Sequence, residues 1–176
     1  LGSFPAASIF KIVTATAAID KYHFQPNSTI QFNGGNHTLY KKNVMSGIVN
    51  RWTRSMTLKE AFSRSINTVF GRMVLENMQP SDLTEYAHRY GFNLNVNSDI
   101  AFETGTTQIP DEKNFELAEI ASGFNKITQM SPIQGAMIAA SVVQNGQMPV
   151  PYLIEKAMDE EGNLLFKAEP MIASIT

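Results

Sequence analysis

The feature that most constrains this chain is an Ala-rich apolar run near its start, from Pro5 to Ile19, which carries a serine and a lysine at its head. Alanine is the best helix former, and apolar residues cover almost the whole circumference of the predicted helix. We therefore expect a helix that begins just after Pro5, ends near Tyr22 and is buried on nearly all sides. Buried polar groups need a reason, so the serine and the lysine are the first candidates for function.

Ser8 and Lys11 are three residues apart, and this spacing makes them neighbours on one face of a helix. A serine hydroxyl becomes a good nucleophile when an adjacent base takes its proton, and a lysine can be that base when burial lowers its pKa. The free N–H groups of a helix start also favour the negative charge that develops on the serine. The alternative is that Ser8 caps the helix and Lys11 extends to solvent, since Ser-x-x-Lys is short and frequent by chance. The apolar neighbours of Lys11 favour the catalytic interpretation.

A second polar cluster interrupts the apolar pattern at residues 63–68. A helix, a tight polar connection and another helix would bring Ser65 and Asn67 into a cleft. Asn67 could then donate a hydrogen bond to a substrate amide or to Lys11, and Ser65 could carry a proton. For this segment taken alone, a helix cap with local side-chain to backbone bonds is the better interpretation.

Turn and capping residues divide the rest of the chain into short elements, so we expect a mainly α fold of the α+β class with two small β-hairpins. The hairpins are predicted at residues 29–32 with 37–40, and at residues 152–158 with 164–167 around an acidic turn. The further helices are predicted at residues 57–62, which begin with a capping box of Thr57 and Glu60, and at residues 80–90, 115–121 and 132–145.

Length and composition exclude several classes of protein. The 176 residues predict one domain with a substantial core, and the net charge of −2 with scattered Lys and Arg argues against a nucleic acid or a membrane surface as partner. The absence of cysteine excludes disulfides and thiol chemistry, and the three histidines are isolated, so no metal or cofactor is predicted. No signal peptide or membrane-spanning run is found, and the first residue is Leu1, so we expect a piece cut from a longer protein.

Four stretches, in their order along the chain, resemble the transpeptidase domain of penicillin-binding proteins. Residues 5–13 (PAASIFKIV) are similar to the nucleophile helix of that family, and residues 57–70 to its Ser-x-Asn segment. Residues 131–137 (SPIQGAM) are similar to its Thr-Pro-Leu-Gln-x-Ala helix, and residues 146–156 to the passage that follows. Each stretch is weak alone, but the set spans nearly the whole chain and is specific. The resemblance implies the helical subdomain of a fold in which helices pack against an antiparallel sheet.

By this resemblance, Ser8 is the acylated nucleophile, Lys11 is the base that activates it, and Ser65 and Asn67 are the proton shuttle and substrate anchor. The third motif of the family, Lys-Thr-Gly, is missing; residues 103–105 (ETG) have the wrong charge and precede the 131–137 helix, which that motif follows. We therefore expect residues 1–176 to be one partial domain, incomplete at both ends and without most of the sheet.

The missing motif has two expected consequences. In the family it supplies an oxyanion donor, and loss of one such donor can cost about 100- to 1,000-fold in rate, so this piece alone is expected to be poor or inactive as an enzyme. Without the sheet, exposed apolar surface is expected to drive self-association.

The resemblance implies an enzyme that cross-links peptidoglycan stem peptides through an acyl-enzyme and is trapped by β-lactam antibiotics, without a cofactor. It also implies an extracytoplasmic location, periplasmic or on the outer face of the cytoplasmic membrane, with the anchor outside this chain. One alternative is a β-lactamase or β-lactam sensor domain, because residues 5–11 also resemble class D lactamases; the Ser-Ile-Asn context at residues 65–67 favours the transpeptidase. The other is a non-catalytic wall-associated scaffold of the same fold.

Overall fold

The computed structural model describes residues 2–96, 98–99, 101–169 and 172–175. These residues form a mainly helical structure with small antiparallel strand pairs, which confirms the predicted fold class. The helices are α1 (Phe10–Asp20), α2 (Lys41–Met45), α3 (Leu58–Ser63), α4 (Asn67–Asn77), α5 (Pro80–Arg89), α6 (Phe115–Ser122) and α7 (Pro132–Val143). The strand pairs are β1 (Phe4–Pro5) with β4 (Gln129–Met130), β2 (Thr29–Phe32) with β3 (Arg54–Thr57), β5 (Gln147–Pro149) with β8 (Ile172–Ser174), and β6 (Lys156–Met158) with β7 (Leu164–Lys167).

The helix ends follow the local chemistry that predicted them. At the start of α3, Thr57 accepts from the backbone N–H of Glu60, and the Glu60 carboxylate accepts from the backbone of Thr57, so the capping box is confirmed. Ser131 caps α7 by accepting from the backbone of Gln134. Gly123 ends α6 in the left-handed conformation, with a φ of 69°.

Helix α1 lies in the middle of the core and packs against α4, α5 and α6. Phe10 and Val13 are fully buried, and the ring of Phe10 packs edge-on against Phe92 at a centroid distance of 5.3 Å. One side of α1 departs from the predicted burial: Ile19 is 49% exposed and lines an open apolar groove of about 550 Å³ with Leu58 and other residues. No helix in the described ranges is both long and apolar enough to cross a membrane.

The first α-helix begins later than predicted. Pro5 lies in β1, which pairs with β4, and the backbone N–H of Ala6 donates to Thr128 O at 2.9 Å. A 3-10 turn, Ala7–Ile9, then leads into α1, and Ala7 has a φ of 46°. Because the strand pairing holds Phe4 and Pro5 extended, Ser8 lies in the turn ahead of α1 rather than inside a continuous helix.

The first predicted hairpin is also wrong. Residues 29–32 form β2, but their partner is β3, and residues 37–40 form no strand. The backbone carbonyl groups that a second strand would need are bonded to the start of α4 instead: Asn67 Nδ2 donates to His37 O at 2.6 Å, and Thr68 Oγ1 donates to Thr38 O at 3.3 Å. Tertiary contacts therefore override a strong local turn signal. The second hairpin, β6 with β7, is confirmed, although its first strand begins at Lys156 rather than at residue 152.

Candidate active site

Four polar side chains from two distant parts of the chain meet in one cluster. Lys11 Nζ donates to Ser8 Oγ at 3.0 Å and to Asn67 Oδ1 at 2.7 Å. Ser65 Oγ donates to Ser8 Oγ at 2.8 Å. The structure therefore brings together all four residues that the sequence singled out.

Local structure presents each of these groups differently. Ser8 is exposed in the 3-10 turn, whereas Lys11, one turn later at the start of α1, is buried. Ser65 lies in the tight connection between α3 and α4, where it adopts a left-handed φ of 52°. Left-handed conformations of non-glycine residues are strained and are often found at functional sites, so this connection and Ala7 are held in place by their surroundings. Ser8 and Lys11 are neighbours, as their spacing predicted, but the serine is accessible and only the amine is buried.

The surroundings of Lys11 lower the pKa of its amine. The side chain is only 2% exposed, and its Nζ lies 5.7 Å from the centroid of the Phe70 ring. Burial disfavours the charged form and lowers the pKa of Lys11 from 10.5 to about 8. At pH 8 about half of the Lys11 amines are therefore neutral, and a neutral amine can accept a proton.

The hydrogen bonds of Lys11 leave the lone pair of its neutral amine available to accept the proton of Ser8. Besides Ser8, the amine donates to Asn67 Oδ1 and, at 2.6 Å, to the backbone carbonyl of Ser122 at the end of α6. A neutral amine has two N–H donors and one lone pair. The two shorter bonds, to Asn67 and Ser122, use the two donors, so the lone pair is left to face the hydroxyl of Ser8.

Two partners of the cluster escaped the sequence analysis because they act through the backbone. The carbonyl of Ser122 is 111 positions from Lys11, and the only local sign of it is the helix end that Gly123 marks. The carbonyl of His37 accepts from Asn67 Nδ2 at 2.6 Å, and the His37 ring Nδ1 lies 3.3 Å from Ser65 O. His37 is exposed, and both its ring and its backbone carbonyl contact the cluster.

The direction of one hydrogen bond differs from the prediction. Asn67 was expected to donate to Lys11 or to a substrate, but its oxygen accepts from Lys11 and its nitrogen donates to His37 O. The reason is that the lysine amine is itself the donor in this contact. One of the two N–H groups of Asn67 Nδ2 remains for another acceptor.

Comparison with known proteins places this arrangement in a family. The sequence model described as penicillin binding protein transpeptidase domain matches residues 2–174. No curated protein matches the chain.

Solved structures of penicillin-binding proteins and of a D,D-transpeptidase domain share the fold of this chain. The D,D-transpeptidase domain of a peptidoglycan glycosyltransferase from Eggerthella lenta is 23% identical, with a TM-score of 0.76 over 98% of this chain and 44% of that chain. Penicillin-binding protein A from Mycobacterium tuberculosis, in an imipenem acyl-enzyme complex, is 19% identical, with a TM-score of 0.77 over 99% of this chain and 40% of that chain. Penicillin-binding protein 3 from Mycobacterium tuberculosis, complexed with aztreonam, is 17% identical, with a TM-score of 0.76 over 99% of this chain and 38% of that chain. The chain thus spans less than half the length of these structures.

Proposed function

Because the chain belongs to the penicillin-binding protein transpeptidase domain family, we propose that its protein is a D,D-transpeptidase that cross-links peptidoglycan through a serine acyl-enzyme. The observation that carries the proposal is the position of Ser8 Oγ, within hydrogen-bond distance of both Lys11 Nζ and Ser65 Oγ. A nucleophile needs a base to remove its proton and a second group to protonate the leaving atom, and these two contacts supply one of each.

The first half-reaction is acylation. Neutral Lys11 takes the proton of the Ser8 hydroxyl as Oγ attacks the carbonyl carbon of the peptide bond between the two terminal D-alanines of a stem peptide. The Ser65 hydroxyl passes a proton to the nitrogen of the departing D-alanine and recovers one from Lys11. The carbon–nitrogen bond breaks, D-alanine leaves, and the remaining peptide is joined to Ser8 as an ester.

The second half-reaction returns the enzyme to its starting state. The amino group of a second stem peptide attacks the ester carbonyl carbon, its surplus proton passes to the site, and Ser8 leaves with its hydroxyl restored. In both steps Asn67 holds the Lys11 amine through Oδ1, and its unused N–H is positioned to donate to a substrate carbonyl oxygen.

The same chemistry accounts for inhibition by β-lactams. The strained amide of the drug replaces the substrate peptide bond, and attack by Ser8 opens the ring to give an acyl-enzyme that blocks the site. The structures of the relatives with imipenem and aztreonam support this extension to the present chain. Transpeptidase domains of this family are typically extracytoplasmic, and we place this protein there too, at the membrane that bounds the cell wall.

Labelling with a fluorescent penicillin tests the proposal on the protein as its gene encodes it. The wild-type protein and a Ser3→Ala control are expected to carry a persistent label, since Ser3 is an exposed serine of the same segment, and Ser8→Ala is expected to carry none. Equal labelling of Ser8→Ala and the wild type would remove Ser8 as the nucleophile. A label that is rapidly hydrolysed would instead favour a β-lactamase, and Ser8-dependent labelling without cross-linking of stem peptides would exclude the transpeptidase.

A further inference from the structure

The end of α6 and the strand β4 are joined by a short segment that contacts the chain on both sides of Ser8. We propose that this 121–130 segment positions Ser8 and Lys11 for acylation, and that Gly123 is the residue that lets it approach closely enough to do so. The inference rests on the proposed function, because it concerns the same site. Residues 121–130 contain none of the four predicted site residues, so their part in the reaction would be indirect.

One end of the segment fixes the chain that enters the nucleophile turn. Met130 and Gln129 pair with Phe4 and Pro5 as β4 and β1. The carbonyl of Thr128 then accepts from the backbone N–H of Ala6 at 2.9 Å. The three residues that lead to the turn are therefore held by the segment through backbone contacts.

The other end of the segment fixes the chain that leaves the turn. Thr14 Oγ1 in α1 donates to the carbonyl of Ala121 at 2.8 Å, and Lys11 Nζ donates to the carbonyl of Ser122 at 2.6 Å. Both bonds are buried, where an unpaired carbonyl is costly, so they favour one relative position of α1 and α6. That position also sets the direction in which the Lys11 amine faces Ser8.

Gly123 lies at the closest point between the segment and the turn. Its φ is +69°, and a Cβ added there would lie 1.9 Å from Ala7 O and 3.1 Å from the backbone nitrogen of Ser8. These are backbone atoms, which cannot rotate away as a side chain could. An alanine at this position must therefore separate the segment from the nucleophile turn by about 1 Å or more, a displacement that can cost about 100-fold in rate when it misplaces reacting groups.

The segment itself is rigid enough to transmit this contact. Asn125 Oδ1 accepts from the backbone N–H groups of Thr128 at 2.7 Å and Ile127 at 3.0 Å. This local bonding fixes the turn between Gly123 and Thr128. The two contact points are thus held at a set separation, on either side of Ala7 and Ser8.

The experiment compares three glycine-to-alanine variants of the protein as its gene encodes it by the kinetics of acylation with benzylpenicillin, which separate the dissociation constant before acylation from the acylation rate constant. For Gly123→Ala the rate constant is expected to fall by about 100-fold, with a dissociation constant within about threefold of wild type, because the reacting groups move while the surface that first binds the drug remains.

Gly162→Ala has an equally left-handed backbone, with a φ of +86° and no neighbour within 4 Å, and controls for backbone strain. Gly91→Ala, with a φ of +83° and its nearest atom at 3.6 Å, controls for strain at a helix end. Both controls are expected to acylate at the wild-type rate.

A second pair of variants decides the question if Gly123→Ala does not fold. Thr14→Val keeps the shape of the side chain and removes the donor to Ala121 O, and its acylation rate constant is expected to fall by about 10-fold at an unchanged dissociation constant. Thr14→Ser keeps the hydroxyl and is expected to recover the rate.

Folded Gly123→Ala with a wild-type rate constant would overturn the inference, and so would a wild-type rate in Thr14→Val. Either result together with Ser8-dependent labelling leaves the proposed function standing, whereas loss of that dependence removes the function itself.

Discussion

The two ends of α1 carry lysines in opposite situations. Lys11, in the first turn, contacts a hydroxyl, a side-chain amide and a peptide carbonyl, and burial lowers its pKa to about 8. Lys21, directly after the last turn, lies 2.7 Å from a carboxylate oxygen of Asp82 and 3.4 Å from one of Glu85, and the hydrogen bond with Asp82 raises its pKa. The same residue type is thus a candidate base at one end and a permanent cation at the other.

The difference in pKa comes from burial at Lys11 and from a hydrogen bond with a charged partner at Lys21. Both amines are well supplied with acceptors, but those of Lys11 are uncharged dipoles, whereas those of Lys21 carry full negative charge. A carboxylate within about 4 Å favours the ammonium form, and dipoles in a buried site compensate for only part of the lost hydration. The proposed base function of Lys11 therefore depends on its burial and on the absence of a carboxylate among its hydrogen-bond partners.

Removal of the amine should have the largest effect on activity. In Lys11→Met the rate constant for acylation by benzylpenicillin is expected to fall by about 10²- to 10⁴-fold, the usual contribution of a general base. Lys21→Met, at the other end of the same helix, is the matched control and should acylate at the wild-type rate. Stopped-flow or quenched-flow acylation measures both, and a Lys11→Met rate within a factor of a few of wild type would contradict the role of the amine.

Introduction of a carboxylate beside Lys11 should raise the pKa of its amine, as Asp82 does for Lys21. In Asn67→Asp the new charge lies at the position of Oδ1, 2.7 Å from Lys11 Nζ, and should raise the pKa of Lys11. A rise of about one to two pKa units lowers the neutral fraction, and hence the acylation rate at pH 7, by about 10- to 100-fold. Part of this loss should be recovered as the pH increases towards 10. A deficit that is the same at every pH would show that the amide acts in another way.

The lowered pKa of Lys11 should also appear in the stability of the chain. The amine has a pKa of about 8 when folded and 10.5 as the ordinary value, so the unfolded chain binds more protons between these pH values and the free energy of unfolding rises with pH. The expected gain from pH 8 to 9.5 is on the order of 2 kcal/mol, and it should be absent in Lys11→Met. Burial raises the pKa of Tyr22 and of Tyr86 above the ordinary value of 10.0. Both tyrosines therefore lower the free energy of unfolding as the pH rises, but mainly above pH 10. Denaturant unfolding across this range is the measurement, and equal slopes in the two proteins would contradict the lowered pKa.

The smallest effect is expected on thermal stability, when the ion pairs of Lys21 at the C-terminal end of α1 are removed. Lys21→Met removes the contacts with Asp82 and Glu85, which are partly open to solvent, and should lower the melting temperature by about 1 to 4 °C. The loss should shrink in high salt because salt screens surface charges. Calorimetry at low and high salt checks it, and a loss that does not depend on salt would point to packing of the lysine stem instead.

The sequence predicted best what is decided locally. The neighbouring positions of Ser8 and Lys11 follow from their three-residue spacing, and the boundaries of α3, α6 and α7 follow from caps and glycines that act within one turn. The tight connection before α4 was predicted for the same reason, because a short polar break separates two apolar helical patterns, but the sequence of this segment alone favoured a helix cap over a functional role for Ser65 and Asn67.

What the sequence could not predict depends on contacts between distant backbones. Residues 29–32 pair with β3, and carbonyls of residues 35–38 accept hydrogen bonds from Asn67 and Thr68, so the local turn signal pointed to the wrong partner. The carbonyl of Ser122 carries no side-chain signature, and the need for a glycine at position 123 is visible only when Ala7 O is known to lie beside it. Residue identity alone does not encode such contacts.

The pH dependence of Ser8 acylation tests the central claim most directly, because the proposed base is the neutral Lys11 amine. For the protein as its gene encodes it, the acylation rate constant with benzylpenicillin should rise about tenfold per pH unit below neutrality and level off with an apparent pKa of about 8. A rate constant that stays flat from pH 6 to pH 9, or the same pH profile in Lys11→Met, would contradict the account.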